Sequence, residues 1–290
     1  MFVLAHISDL HMALTPRPAE LLSKRGLGFI NWHRKRKYIH RRDILDAITL
    51  DLKAQAKDHI AVTGDLVNLS LPVEYQRARA WLHGIGGPED VTVIPGNHDV
   101  YVQQMTDAPA TYWGDYMTGD DGVQRLPFLR RRDGVALIAL SSGVATGPFM
   151  ATGKLGAPQL ERLADLLERT RDAFRVVLIH HPPLSPPQRH LRRLIDGADF
   201  RGVLAAKGAE LLLHGHDHQR ALLWLDGPGT KIPAIGVPSA SARAPHGDED
   251  GAGYHLFNID GTAGNWRCDM IARQRNADGT ISQGERLTIC

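Results

Sequence analysis

Six short apolar runs recur through the first two thirds of the chain: Val3–Ser8, His59–Thr63, Val91–Ile94, Val135–Leu140, Arg175–Ile179 and Glu210–Leu213. Longer segments of helical spacing separate them. This alternation limits the fold more than any other feature. Runs this short and this apolar read as strands buried on both faces, and such strands need helices between them to cover the sheet. Helices are expected at Asp43–Lys57, Pro72–Leu82 and Ala157–Thr170. In the first of these, Ile44, Leu45, Ile48 and Leu52 share one face, while Asp51, Lys53 and Lys57 point away. Pro158 falls in a first turn, where its missing N–H has no intrahelical partner to lose.

After Leu213 the pattern changes to strands alone, at Arg220–Leu225, Ile232–Val237, Gly253–Ile259, Trp266–Ile271 and Thr280–Leu287, with Gly-rich turns between them. Together the two patterns predict a layered α/β sandwich closed by antiparallel strands. Residues 1–290 show no internal repeat or clear linker and read as one domain, with a helix expected between loops in Asp99–Gly122.

Five clusters of metal-binding side chains punctuate this framework: Asp9-x-His11, Gly64-Asp65, Gly96-Asn97-His98-Asp99, His180-His181-Pro182 and Gly215-His216-x-His218. Several stand at the ends of predicted strands. Singly, each has an ordinary explanation, since Asp after Gly is a turn residue and a strand-end His is usually a hydrogen-bonded structural group. Jointly, the five clusters lie where one sheet edge can gather them into a single metal centre. If the strands persist, the i, i+2 spacing turns Asp9 and His11 to one side, and His216 and His218 likewise. Gly215 permits close backbone approach there.

In order and content these blocks resemble the calcineurin-like metallophosphoesterases, whose pattern is DxH, GD, GNH[D/E], H and GHxH. No ligand is substituted, and the blocks span about three quarters of the chain. The resemblance implies a four-layer α-β-β-α sandwich with mixed sheets and a binuclear centre. It assigns Asp9, His11, Asp65 and His218 to one ion, with Asp65 bridging to a second ion held by Asn97, His180 and His216. Mixed carboxylate, imidazole and carbonyl donors suit Mn, Fe, Zn or Co, and two such ions stand roughly 3.5–4 Å apart in two-metal hydrolysis. A metal-bridging hydroxide is the implied nucleophile, His98 handles the leaving-group proton, and Asp99 is expected to orient His98. His181 reads as structural, His6 as core, His214 as a strand-end residue, and Asp217 as pointing away from the ions. His59 and His83 read as surface positions, and His246 as part of a solvated acidic loop.

Other chemistries find little support. Ser141-Ser142-Gly143 lacks the glycine of a nucleophile elbow, Gly26-x-Gly28 lacks a third glycine and a preceding strand, and no P-loop is present. A net charge of +2 gives no case for global nucleic-acid binding. The positive charge is instead concentrated in a basic insertion at about 20–42, which also carries Phe29, Trp32 and Tyr38. That segment is compatible with a surface flap, with an anionic membrane or lipid contact, with nucleic-acid contact, or with recognition of an anionic substrate's organic part. Two cysteines near the C-terminus form no disulfide framework, and the first strand begins too early for a secretory signal. A cytoplasmic protein is expected, with peripheral membrane contact open through 21–42.

The function expected is hydrolysis of a small phosphodiester of the cyclic nucleotide or glycerophosphodiester class. The alternatives are a lipid-linked pyrophosphatase resembling UDP-diacylglucosamine hydrolases and a non-catalytic scaffold of the same fold. Oligomeric state is left open.

Overall fold

The computed structural model describes residues 1–12, 25–26, 37–245 and 247–290. Residues 21–24 and 27–36 of the basic segment, and His246, lie outside the described residues. In chain order the principal elements begin with β1 (Phe2–Ile7), α1 (Arg42–Ala54), β2 (His59–Val62), α2 (Pro72–Ile85), β3 (Val91–Val93) and α3 (Ala108–Trp113). They continue through β4 (Phe128–Arg132), β5 (Val135–Ala139), α4 (Ala157–Arg169), β6 (Phe174–Leu178), α5 (Gly197–Lys207) and β7 (Leu211–His214). The chain closes with β8 (Ala221–Leu225), β9 (Ile232–Gly236), β10 (Gly253–Thr262), β11 (Asn265–Arg275) and β12 (Ile281–Thr288).

Two six-stranded mixed sheets result, in the orders β12-β11-β10-β1-β2-β3 and β4-β5-β6-β7-β9-β8. β1, β2 and β3 run parallel, as do β5, β6, β7 and β9. β10 pairs antiparallel with β1, and β10, β11 and β12 follow one another as antiparallel neighbours. In the second sheet, Val135, Leu137, Ala139, Phe174, Val176, Leu178, Leu211 and Leu213 join a core shared with the first sheet. The alternate residues Ile138, Val177 and Leu212 pack instead with Leu163, Leu167, Phe200 and Leu204 of α4 and α5. Period-two side-chain alternation therefore sends one face inward and the other to a helix layer. Ile44, Leu45, Ile48 and Leu52 of α1, with Tyr75, Ala78 and Leu82 of α2, pack on the first sheet's core. This is the expected α-β-β-α sandwich.

The predicted elements recur with ends shifted by a few residues. Two were not anticipated. β4 reads Phe-Leu-Arg-Arg-Arg, too polar to resemble a buried strand. Arg130 is nevertheless buried, because its guanidinium donates to the Thr118, Val91 and Asp115 carbonyls at 2.8, 2.7 and 2.9 Å. The other, α5, carries two glycines and little amphipathic contrast, yet Phe200 and Leu204 anchor it. His59, expected at the surface, is 1% exposed, with Nε2 held at 2.8 Å by Thr92 Oγ1. His6 is buried as expected, and its Nε2 pairs with Thr63 Oγ1 at 2.8 Å. Among the described residues no helix is long and apolar enough to cross a membrane.

Candidate metal centre

The parallel strands of both sheets release their chains at one edge, and all five clusters arrive there. β1 leads to Asp9 and His11, β2 to Asp65, β3 to Asn97 and His98, β6 to His180, and β7 to His216 and His218. Ligand-type side chains thus come from both sheets. The loops after β1 and β2 stay joined, since the amides of Asp9, His11 and Met12 donate to the carbonyls of Gly64, Asp65 and Leu66 at 2.9–3.0 Å.

Convergence is not achieved by the strand pleat. Asp9, His11, Asp65, His216 and His218 have φ between 45° and 70°, the left-handed region that non-glycine residues seldom enter. Strands end before the clusters, and left-handed turns aim each pair at a common point. Such conformations cost of order 1–3 kcal/mol each and persist where surrounding structure enforces them. Two glycines make the approach possible. A Cβ on Gly215 would lie 2.4 Å from Asp9 Oδ2, and one on Gly96 would lie 2.2 Å from Asp65 Oδ1.

Around Asp65 the donors close in. Asp65 Oδ2 is 3.4 Å from His180 Nε2, which is 3.2 Å from Asn97 Oδ1 and 3.3 Å from His216 Nδ1. On the other side, His218 Nε2 is 3.2 Å from Asp9 Oδ1 and 3.0 Å from His11 Nε2. One nitrogen or oxygen from each of Asp65, His180 and His216 falls within a 4.8 Å group, as does one from each of His11, Asp65 and His98. Asp65 belongs to both.

The outer nitrogens of the imidazoles are held by the protein. His180 Nδ1 faces Thr63 O at 2.7 Å, His216 Nε2 faces Arg192 O at 2.9 Å, and His218 Nδ1 faces Glu249 Oε2 at 2.9 Å. In the neutral ring each partner favours a proton on the outer nitrogen, which leaves the inner lone pair toward the centre. Glu249 lies in the acidic loop expected to be solvated; instead it backs His218, and Asp248 of the same loop pairs with Arg189. No local pattern announced Glu249, since its partner lies 31 positions away. Asp217 points elsewhere, to Arg189 Nη1 at 2.6 Å. His181 is structural, its Nδ1 at 2.8 Å from Ser142 Oγ and its Nε2 at 3.1 Å from Ala151 O.

His98 sits at the rim, 9% exposed. Its amide donates to Asp65 Oδ1 at 2.7 Å, and Nδ1 meets Asn68 O at 2.6 Å. The expected orienting carboxylate is therefore replaced by a main-chain carbonyl. Asp99 faces away from the imidazole and accepts the amides of Val67 and Gly96 at 3.0 and 2.8 Å, bracing the loops after β2 and β3. Burial and neighbouring Asp65 push its carboxyl up to about 8, against the pull of those two amides.

Burial opposes charge throughout the centre. At His216 it wins, with His181 and His180 adding to it, and lowers the imidazole well below its usual value. At four other groups the opposite partner prevails. Despite burial, the Asp65 carboxylate raises His180 to about 9, while Asp9 and Glu249 raise His218 to about 9. Conversely, Asp65 and Asp9 are held below the ordinary carboxylate range by these same histidines, in spite of burial. The carboxylates thus draw positive charge into a dry pocket. Asp9 Oδ1 is also buried, with the His218 Nε2 atom at 3.2 Å and no well-aligned hydrogen bond, an under-satisfied carboxylate that a cation would relieve. The donor set of carboxylate, amide oxygen and imidazole fits divalent ions.

A family profile described as Calcineurin-like phosphoesterase matches residues 2–220, a span containing all five clusters. A probable cyclic nucleotide phosphodiesterase of Synechococcus sp. is 27% identical over 274 residues, 92% of this chain and 91% of that protein. A cAMP/cGMP dual specificity phosphodiesterase of Mycobacterium tuberculosis is 27% identical over 205 residues, covering 64% of this chain and 54% of the relative. The structure is also similar to purple acid phosphatase PPD1 from yellow lupin, with TM-score 0.59, 12% identity, and coverage of 99% of this chain and 53% of the other. By sequence, architecture and the order of its clusters, the chain belongs to the calcineurin-like phosphoesterase family.

Proposed function

We propose that this chain is a phosphodiesterase that hydrolyses small diesters of the cyclic nucleotide class at a two-ion centre. The single observation carrying this reading is Asp65, the carboxylate common to two of the three donor groups among the described residues. Asp9, His11, Asp65 and His218 would hold one ion, and Asp65, Asn97, His180 and His216 the other. Mn, Fe, Zn and Co all suit these donors. When bound, two such ions supply a water acidic enough to ionise near neutral pH and positive charge against a developing phosphorane-like transition state.

The remaining work falls to the chain's own side chains. Thr63 O, Arg192 O and Glu249 fix the imidazoles so that little reorganisation accompanies reaction. With Asn68 O holding the Nδ1 proton of His98, Nε2 is the nitrogen that exchanges a proton with substrate. As water oxygen bonds to phosphorus and the bond to the ester oxygen breaks, His98 protonates the departing alkoxide. Tyr101 stacks on His98 with centroids 5.5 Å apart and limits its rotation.

The basic segment is assigned to the organic part of the substrate. Within the segment, Arg25 donates to Leu69 O and Ser70 O at 3.1 and 2.6 Å, beside the loop that carries Asn68. The names of the two relatives favour cyclic nucleotides over glycerophosphodiesters. The test is metal analysis with an activity screen on bis(p-nitrophenyl) phosphate, cAMP, cGMP and a glycerophosphodiester. Ion-dependent turnover, strongest on a cyclic nucleotide, is expected; no turnover with any divalent ion would overturn the reading.

A further inference from the structure

Beyond the seven side chains assigned above, an eighth meets the same centre. We propose that His40 supplies a further imidazole ligand, through Nε2, to the ion of the Asp9–His11–His218 side. This rests on the two-ion reading above.

A nitrogen of His40 lies within 4.8 Å of nitrogens from both His11 and His218, forming a three-imidazole group. Its ring centroid is 4.4 Å from that of His11 and 5.3 Å from that of His218. These separations bracket the spacings between assigned ligands, 5.0 Å for His11 and His218 and 5.1 Å for His180 and His216. Ring proximity alone is insufficient. His181 stands 4.2 Å from His216, yet both its nitrogens face Ser142 and Ala151, and it joins no such group.

The neighbours of His40 Nδ1 suit a metal-binding tautomer. Ser239 Oγ donates its single proton to Asp9 O at 2.7 Å, so toward His40 Nδ1, 3.3 Å away, it acts only as an acceptor. Ser241 Oγ lies 3.0 Å from the same Nδ1. A proton on Nδ1 suits the Ser239 acceptor and can also be accepted by Ser241 Oγ, which leaves the lone pair on Nε2, the form a metal-binding imidazole takes when its outer nitrogen is hydrogen-bonded. The backbone keeps it there. Arg41 N donates to Ser241 O at 2.9 Å, Arg243 N donates to Ile39 O at 2.8 Å, and His40 bridges Ala242. Ser239 thus ties His40 to Asp9, a ligand of the same ion.

An added imidazole makes this side richer in nitrogen than the Asn97 side and shifts it toward Zn, Co and Ni over Mn. Visible spectra of the protein loaded with Co(II) alone read this directly, because ligand-field bands report coordination number. His40→Ala is expected to alter the bands of one of the two ions and weaken its retention against a chelator by at least about tenfold. Ser241→Ala, which keeps the imidazole but loosens it, should give a smaller weakening without loss of bands. Circular dichroism melting of both variants separates these effects from misfolding. Unchanged bands and retention in His40→Ala overturn the assignment, including the case where only KM for substrate rises. Wild-type protein that fails to take up two Co(II) ions overturns the two-ion reading itself.

Discussion

Two populations of buried histidine occupy this sandwich, and burial does not distinguish them. His6, His59 and His255 lie within strands and are 0–2% exposed, as are His180 and His181 beyond β6. Burial drives His59 down to about 3, with Arg130 adding to the effect, and drives His255 down to about 3, with Arg220 adding. His6 falls well below its usual value for the same reason, helped by His255 and His214. His180 and His218 are likewise buried, at 0% and 3% exposed, yet both rise to about 9 because a carboxylate overrides burial. The adjacent pair is the sharpest case: His181 falls to about 3 through burial and the neighbouring His180. What separates His180 and His218 from the structural histidines is a carboxylate 3.2–3.4 Å away; His216, whose ring has no such partner among the described residues, stays well below its usual value through burial.

The comparison breaks most severely at its shared carboxylate. Asp65→Asn should abolish detectable phosphodiester turnover and remove one of about two bound ions, measured by elemental analysis beside the kinetic assay. Retention of both ions with full activity would refute the bridging role. Next in size, His98→Ala is expected to lower kcat by about 10²–10⁴-fold while leaving ion content intact. A parallel loss of ions would recast His98 as a ligand. Glu249→Gln should weaken one ion about 10–100-fold, with partial recovery in Glu249→Asp, as read by chelator competition. Equal weakening of both ions would place Glu249 outside the role argued from His218.

The smallest effect tests the other population. His59 and His255 bind protons in the unfolded chain below about pH 6.5 but resist them when folded. Their contribution is fully present above pH 6.5 and is lost as pH falls toward 3, because the unfolded state then holds more protons. Each lowers stability by up to about 1.4 kcal/mol per pH unit in that window. His255→Leu should flatten this slope in urea titrations between pH 7 and 5, and an unchanged slope would count against the idea.

Most strands and all five clusters were legible because apolar runs and ligand residues are local signals. The metal-side residues needed no partner to be recognised, only their order. What stayed hidden depends on pairings distant in sequence. Nothing near Phe128–Arg132 shows that Arg130 will find distant carbonyls to satisfy it. Glu249 and His40 acquire meaning only once His218 and Ser241 are beside them. The left-handed turns were also unreadable, because Asp and His rarely adopt φ near 50° without tertiary enforcement. The strand-pleat argument reached the right convergence by the wrong geometry.

The place of β1 in the first sheet carries a consequence for how the chain is made. β1 lies between β2 and β10, with His6 registered against His255. During synthesis from the N-terminus, one edge of this very apolar strand therefore waits for its partner until some 250 residues have followed. Pairings this distant form slowly and leave strand edges open to other chains in the interval. Chaperone demand, rather than intrinsic stability, should then set the yield of folded protein at high expression rates.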